Sequence, residues 1–307
     1  MFTRIYFFAL FLAVALLHNA CTSLSERPVA FVVFSDPHTV DSLNRIAVLT
    51  SMIEDANGID TVRFPDTLQF LAQVGPLGAI VNGDVTESGQ NDQWQQYTAL
   101  FGSGNRGVLQ MPVYENFGNH DGDTSGVVRR GISQRNRSKS DVNVSSNGLF
   151  TSWDWGDYHF VMLGLYPANG WDSTCEWCHY FKTSFRYPQN SLDFLESDLA
   201  AHALDGKRVI LFFHYGWDSF SKLWWTPNEQ ERFYNTIQPY RVAAIFTGHN
   251  HSTGHLKWKG IDVFSAGSPQ DGDKPGSFLY VQIKDGELHV IQRRLGAWGE
   301  QSYRVIL

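Results

Sequence analysis

The apolar positions of this chain fall into short continuous runs separated by polar stretches. Val29–Phe34 (V-A-F-V-V-F) is apolar throughout and rich in β-branched and aromatic residues, which predicts a strand buried on both faces. Ala79–Val81 and Val113–Asn116 repeat the pattern in shorter form, and Phe160–Leu165, Val209–Phe213 and Val242–Thr247 follow. Between these runs the spacing becomes helical. Ile46, Leu49, Met52 and Ile53 give one apolar face to a helix around Leu43–Ile53, and Asn190–Leu204 reads as another. Thr226-Pro227-Asn228-Glu229 opens a further helix, with a capping box and proline at the first helical position. From Leu256 onward the pattern alternates and turn residues punctuate it (Gly260, Gly267, Gly276, Asp285-Gly286), as in antiparallel strands. Strand and helix therefore alternate first, and strands run together later. That order predicts an α/β arrangement of sheets sandwiched by helices, in one domain from about Glu26 to the end. Two stretches read as inserted loops. Gly126–Ser140 carries Arg129, Arg130, Arg135, Arg137 and Lys139, either as a solvated run or as a basic flap for anionic substrate. Ala168–Tyr187 holds Trp171, Trp177 and a cysteine pair.

The N-terminal run has a different logic. Ile5–Leu17 is apolar with Arg4 before it, too short to span a bilayer and the right length for the core of a signal peptide. Residues 1–25 are read as that leader and 26–307 as the mature domain, which implies export. Ala20-Cys21 fits lipoprotein cleavage, which would make Cys21 a lipid anchor and the chain's one link to a membrane. His18 fits that signal poorly, and Ser23 and Ser25 offer a competing site. Export places Cys175-Glu176-Trp177-Cys178-His179 in an oxidising compartment, where a short-loop disulfide is favoured over a haem or thioredoxin-like site.

Composition narrows the function classes. Hydrophobic residues make up 43% and charged residues 18% of the 307 positions, which excludes a disordered chain. The formal net charge of -7 argues against general nucleic-acid binding. His 11 and Trp 10 are the quantities that ask for an explanation.

The chemistry lies directly after the strands. Asp36-Pro37-His38 follows Val29–Phe34, and Gly83-Asp84 follows the strand at Ala79. Gly118-Asn119-His120-Asp121 follows Val113–Asn116, His214 ends Val209–Phe213, and Gly248-His249-Asn250-His251 ends Val242–Thr247. A lone histidine at a strand end is usually structural. Five apolar strands that each deliver Asp, Asn or His at the C-terminal edge, where α/β sheets bind ligands, argue for a metal site. Alternation along an extended D-x-H or H-x-H would let both side chains of a pair converge on one cleft. Oxygen and imidazole donors without thiolate suit Mn, Fe, Zn or Co.

The ordered set D-x-H, G-D, G-N-H-D, H, G-H-x-H resembles the calcineurin-like metallophosphoesterase superfamily over Asp36 to His251. The resemblance implies an α/β (α+β) four-layer sandwich of two mixed sheets flanked by helices, with two divalent or trivalent metal ions at the strand ends. Carried over position by position, Asp36, His38 and His251 would hold one ion, Asn119, His214 and His249 the other, and Asp84 would bridge them. A hydroxide held between the ions would be the nucleophile. His120 would stand beside them as acid or transition-state stabiliser, and Asp121 would either orient His120 or act as a simple cap.

Departures from the family's subgroups narrow the substrate. Glu87 stands where purple acid phosphatases carry tyrosine. The D-x-x-D-R-G arginine of the serine/threonine protein phosphatases is absent from Gly83-Asp84-Val85-Thr86-Glu87-Ser88-Gly89. The motif set is most similar to class III cyclic-nucleotide phosphodiesterases, a pattern shared with sphingomyelinase-like enzymes. The expectation is a phosphodiesterase acting on a small phosphate ester or phospholipid head group. A broad phosphomonoesterase and a non-catalytic metal- or phosphate-binding relative are the alternatives. Most tryptophans should pack loops onto the sandwich, whereas Tyr215 or Trp217, just after His214, would contact the leaving group. His159, His179, His202, His255 and His289 fall outside the motif and are read as structural or surface residues. Asn136 and Asn143 sit in N-x-S glycosylation patterns.

Overall fold

The computed structural model describes residues 27–40, 42–102, 107–175, 184–270 and 276–307. The leader, Cys21 and Cys178 lie outside the described residues. Strands β1 (Val29–Phe34), β2 (Ala79–Asn82), β3 (Val113–Asn116), β11 (Ser277–Lys284), β12 (Glu287–Arg294) and β13 (Ala297–Ile306) form one sheet in the order β13-β12-β11-β1-β2-β3. The other runs β4-β5-β6-β7-β8-β10-β9. It is built from β4 (Asn143–Val144), β5 (Thr151–Trp155), β6 (Tyr158–Met162), β7 (Arg208–Phe212), β8 (Arg241–Thr247), β9 (Gly254–Trp258) and β10 (Ile261–Ser265). Both sheets are mixed. β1, β2 and β3 are parallel to one another, as are β6, β7, β8 and β10, while β11–β13 add an antiparallel flank.

Alternation along β1 explains its unbroken apolar run. Phe31 and Val33 face the other sheet, where Phe160, Phe212 and Phe246 meet Phe31 edge-on. Ala30, Val32 and Phe34 join the opposite layer, which contains Leu49, Met52 and Ile53 of α1 (Leu43–Asn57). The structure is thus the expected sandwich, two mixed sheets with helices outside. Among the described residues no helix is long and apolar enough to cross a membrane.

The helix after Thr226 forms with its capping box intact over Pro227–Ile237, and a second expected helix spans Ser191–His202. Strand β6 ends earlier than the apolar pattern implies, because Gly164 takes φ 69° and turns the chain. One expectation fails. Gly126–Ser140 is not a loop or a flap, since Val127–Arg137 is helix. Arg129 is buried, donating to Gln189 Oε1 and the Phe185 carbonyl, and Arg135 pairs with buried Glu115. Arg130 and Arg137 donate to the carbonyls of Ser125 and Ser146. Asn136 is 1% exposed and bonded to the Gly148 carbonyl, so it offers no acceptor for a glycan.

Candidate metal centre

Parallel pairing puts the C-terminal ends of β1, β2 and β3 on one edge, and those of β7 and β8 on the facing edge of the other sheet. The loops leaving these ends are bonded to each other. The Asp36 and His38 N–H groups donate to the carbonyls of Gly83 and Asp84, and Gly248 N–H donates to the His214 carbonyl. Two buried amides tie the strand ends together. Asn82 Nδ2 donates to the carbonyls of Phe213 (3.0 Å) and Phe246 (2.9 Å), bridging the sheets, and Asn116 Nδ2 donates to Asn82 Oδ1 at 2.8 Å.

The backbone carrying the donors is not extended, contrary to the alternation argument. Asp36, His38, Asp84, His249 and His251 all have φ between 44° and 70°, the left-handed region that side chains disfavour. Each costs about 1 kcal/mol or more and persists only where the surroundings enforce it. The paired residues converge through left-handed turns, which aim both side chains inward from adjacent short loops.

Asp36, His38 and His251 bring one ligand atom each within 4.8 Å of one another, and so do Asp84, His214 and His249. Both carboxylates are anchored by backbone N–H groups. Asp36 Oδ2 accepts from Ser35 Oγ (2.5 Å) and from the His249 N–H (3.0 Å), which Oδ1 shares at 3.2 Å; Oδ1 also stands 3.5 Å from His251 Nε2 and 3.8 Å from His38 Nε2. Asp84 Oδ1 accepts from the His120 N–H at 2.8 Å. Its Oδ2 stands 3.1 Å from His214 Nε2 and 3.6 Å from His38 Nε2, between the two groups. His38 and His251 point their Nε2 atoms at each other across 3.1 Å.

The donors fit a cation. The buried atoms Asn119 Oδ1 and His214 Nε2 have no hydrogen-bond partner, an expensive condition unless an ion takes them. His214 Nδ1 lies 2.9 Å from the Asn82 carbonyl. A carbonyl only accepts, so Nδ1 carries a proton and Nε2 is the nitrogen turned towards the donors. Despite the penalty of burial, His214 and His38 hold the Asp84 carboxyl far below the usual carboxylate range. Burial opposes protonation of His214 too, but Asp84 and Asp36 raise it to about 10. Burial, with His214, pushes His249 down to about 4. An Asp84 carboxylate held ionised among imidazole nitrogens makes a pocket in which a multivalent cation would displace the proton that the acids hold on His214.

His120 sits beside both groups. Its Nδ1 is 2.7 Å from the Glu87 carbonyl, and its ring meets His38 edge-on at 4.8 Å. By the same carbonyl argument its free nitrogen is Nε2. Asp121 does not orient that ring. It is buried and accepts from the N–H groups of Gly118, Val85 and Thr86, tying the G-D loop to the G-N-H-D loop. Burial and Asp84 raise it to about 6.

These arrangements place every motif position on one edge. The sequence and structural comparisons agree with the geometry. The family model for calcineurin-like phosphoesterases matches residues 29–253. The chain belongs to that family. No protein of curated function matches it in sequence. Among solved structures it is similar to GAP50, the anchor in the inner membrane complex of Plasmodium, with 10% identity, 91% of this chain and 89% of that chain covered, and a TM-score of 0.55. It is also similar to the phosphopantetheinyl hydrolase of Mycobacterium tuberculosis, with 15% identity, 79% and 90% coverage, and a TM-score of 0.43. At that identity the likeness to GAP50 is one of fold. The family is metal-dependent, and the two His/Asp groups are where this metallophosphoesterase can hold its ions.

Sequence reasoning gave no weight to Ser35, Asn82, Asn116, Arg45 or Glu87 as supports of the site. The signal for two of them was present, since Asn82 and Asn116 are polar residues closing buried apolar runs. Tyr215 is not at the mouth. Tyr215 is fully buried against His249 and Tyr166, and Trp217 packs on Trp225 and Trp258. The exposed ring against the donors is Phe220, 39% accessible and 4.9 Å from the His249 ring. A cavity of about 810 Å³ lies elsewhere, at the opposite edge of the second sheet around Arg208, Arg241 and Ile261, away from this chemistry.

Proposed function

We propose that this metallophosphoesterase is an exported, two-metal hydrolase of phosphoric diesters. The observation carrying the reading is the position of Asp84 Oδ2 between His214 Nε2 and His38 Nε2, which joins the two donor groups through one carboxylate. Asp36, His38 and His251 would hold one ion, and Asn119, His214 and His249 the other. Bound there, the ions would supply Lewis-acid polarisation of the phosphoryl oxygens and a lowered pKa for water. The protein's own part is to orient donors and move a proton. His120, with Nδ1 tied to the Glu87 carbonyl, presents Nε2 as the nitrogen that delivers a proton to the leaving oxygen.

The diester preference rests on charge. A monoester dianion brings one more negative charge, and the guanidinium groups near the donors are engaged. Arg45 is held by Glu87 and the His38 carbonyl, and Arg129 by Gln189 and the Phe185 carbonyl. Export is supported by the leader-like N-terminus and by Cys175, which is disulfide-bonded. The substrate class this favours is a small diester or a phospholipid head group. The non-catalytic alternative is disfavoured by a complete donor set with His120 beside it.

The test compares bis-p-nitrophenyl phosphate with p-nitrophenyl phosphate on the Mn-loaded protein. The diester should be cleaved faster, and faster monoester cleavage overturns the preference. Asp84→Ala should abolish both activities, and retained turnover overturns the shared-carboxylate mechanism.

A further inference from the structure

A third cluster adjoins the two donor groups: His38, Glu87 and His120 bring ligand atoms within 4.8 Å of one another. Two features argue against a third ion there. Arg45 Nη1 lies 2.5 Å from Glu87 Oε2, so a cation would sit beside a guanidinium. His120 has also committed Nδ1 to the Glu87 carbonyl.

The unsatisfied atom is on His38. Its Nε2 faces Asp36, Asp84 and His251, while its Nδ1 is buried and has no hydrogen-bond partner. Glu87 Oε2 lies 3.4 Å from that Nδ1, about 0.5 Å beyond an ordinary N–H···O distance. Histidines that ligate metals usually donate their other ring N–H to a carboxylate or carbonyl, which fixes tautomer and ring direction. His214 already follows this pattern through the Asn82 carbonyl. Arg45 completes the arrangement for His38, because the same guanidinium nitrogen bonds both Glu87 Oε2 and the His38 carbonyl at 2.9 Å.

On the metal-binding reading above, we infer that Glu87, held by Arg45, is a positioning residue that takes the Nδ1 proton of His38 and so aims its Nε2 at the first ion. Glu87 touches neither substrate nor ion. Its length matters, because the carboxylate must reach His38 while the backbone carbonyl of the same residue holds His120. One residue thereby sets the ring directions of a metal ligand and of the proton donor.

The test is metal binding rather than turnover. The full chain is stripped with a chelator and titrated with Mn²⁺ by calorimetry, as wild type and as Glu87→Leu, Glu87→Gln and Arg45→Met. The wild type should bind two ions. Glu87→Leu should weaken one binding step by about 10- to 100-fold and leave the other nearly unchanged. Glu87→Gln, which keeps an oxygen for the His38 N–H, should recover most of the loss, and Arg45→Met should fall between. In the Zn²⁺-loaded protein, the protonated-Nδ1 nitrogen signal of His38 should be lost in Glu87→Leu and kept in Glu87→Gln. Two unchanged steps in Glu87→Leu, or a third ion in the wild type that this variant loses, overturns the inference alone. A wild type that binds no ion removes the metal reading and this inference with it. If Glu87→Leu fails to fold, Glu87→Gln and Arg45→Met decide: both must still rank below the wild type at one step.

Discussion

The backbone carbonyl of Asn82 fixes the tautomer of His214, 2.9 Å from its Nδ1, while the Asn82 side chain holds the two strands that deliver the histidines. Asn82→Ala keeps that carbonyl but strands two buried polar groups, the Phe213 carbonyl and the Asn116 amide, while the Phe246 carbonyl keeps only the Phe213 N–H. At about 1 kcal/mol or more for each unsatisfied group, the loss should reach about 2 kcal/mol. Denaturant unfolding of the metal-free protein checks this. A change below about 1 kcal/mol would mean that the amide is incidental.

His120 should reveal itself through the leaving group. p-Nitrophenolate leaves readily without a proton, whereas an alkoxide does not. His120→Ala should therefore lower kcat by about 10²- to 10⁴-fold on an alkyl diester and by much less on the nitrophenyl ester. Its bound metal should stay at the wild-type level, because His120 Nδ1 faces a carbonyl. An equal loss on both substrates would remove the proton-donor role.

How far the molecule could be read in advance follows from where local signals exist. β1 begins and ends where its apolar run does, because a strand buried on both faces has no polar position to blur its limits. The donors could be placed because each follows such a strand. The helix Val127–Arg137 was obscured by its arginines. They look like a solvated run, yet Arg129 lies over the Phe117 ring and Arg135 against Glu115, with stems and heads both buried in packing. The left-handed backbone at Asp36 and His38 left no local trace, since the residue types do not ask for it and the loop-to-loop hydrogen bonds impose it. The tryptophans are largely explained by the core. Trp153 and Trp155 pack between the sheets on Tyr114 and Phe160.

His159 should make stability depend on pH away from the metal centre. Burial disfavours its charge, but Asp198 and Asp154, each 2.7 Å from one ring nitrogen, outweigh this and raise its pKa above the ordinary 6.5. A raised folded-state value means stabilisation that is complete below 6.5 and lost as pH climbs through the higher folded value. The advantage of wild type over His159→Gln in unfolding free energy should thus be largest near about pH 5.5 and shrink by about pH 9. Using metal-free protein for both chains lets the titrations of the metal ligands cancel. The same gap at both pH values would show that His159 is not held as an imidazolium.

Phe220 should choose among substrates. It is the exposed ring beside His249, whereas Tyr215 behind it is closed off from solvent. An aromatic leaving group can stack on that face, worth about 0.5–1.5 kcal/mol beyond the area it covers. Phe220→Ala should therefore raise KM for an aryl diester by about 2- to 10-fold while leaving kcat and a small alkyl diester almost untouched. Tyr215→Phe keeps the buried ring and should leave the ranking as it is. If the tyrosine variant shifts the ranking and Phe220→Ala does not, the leaving group lies on another wall of the cleft.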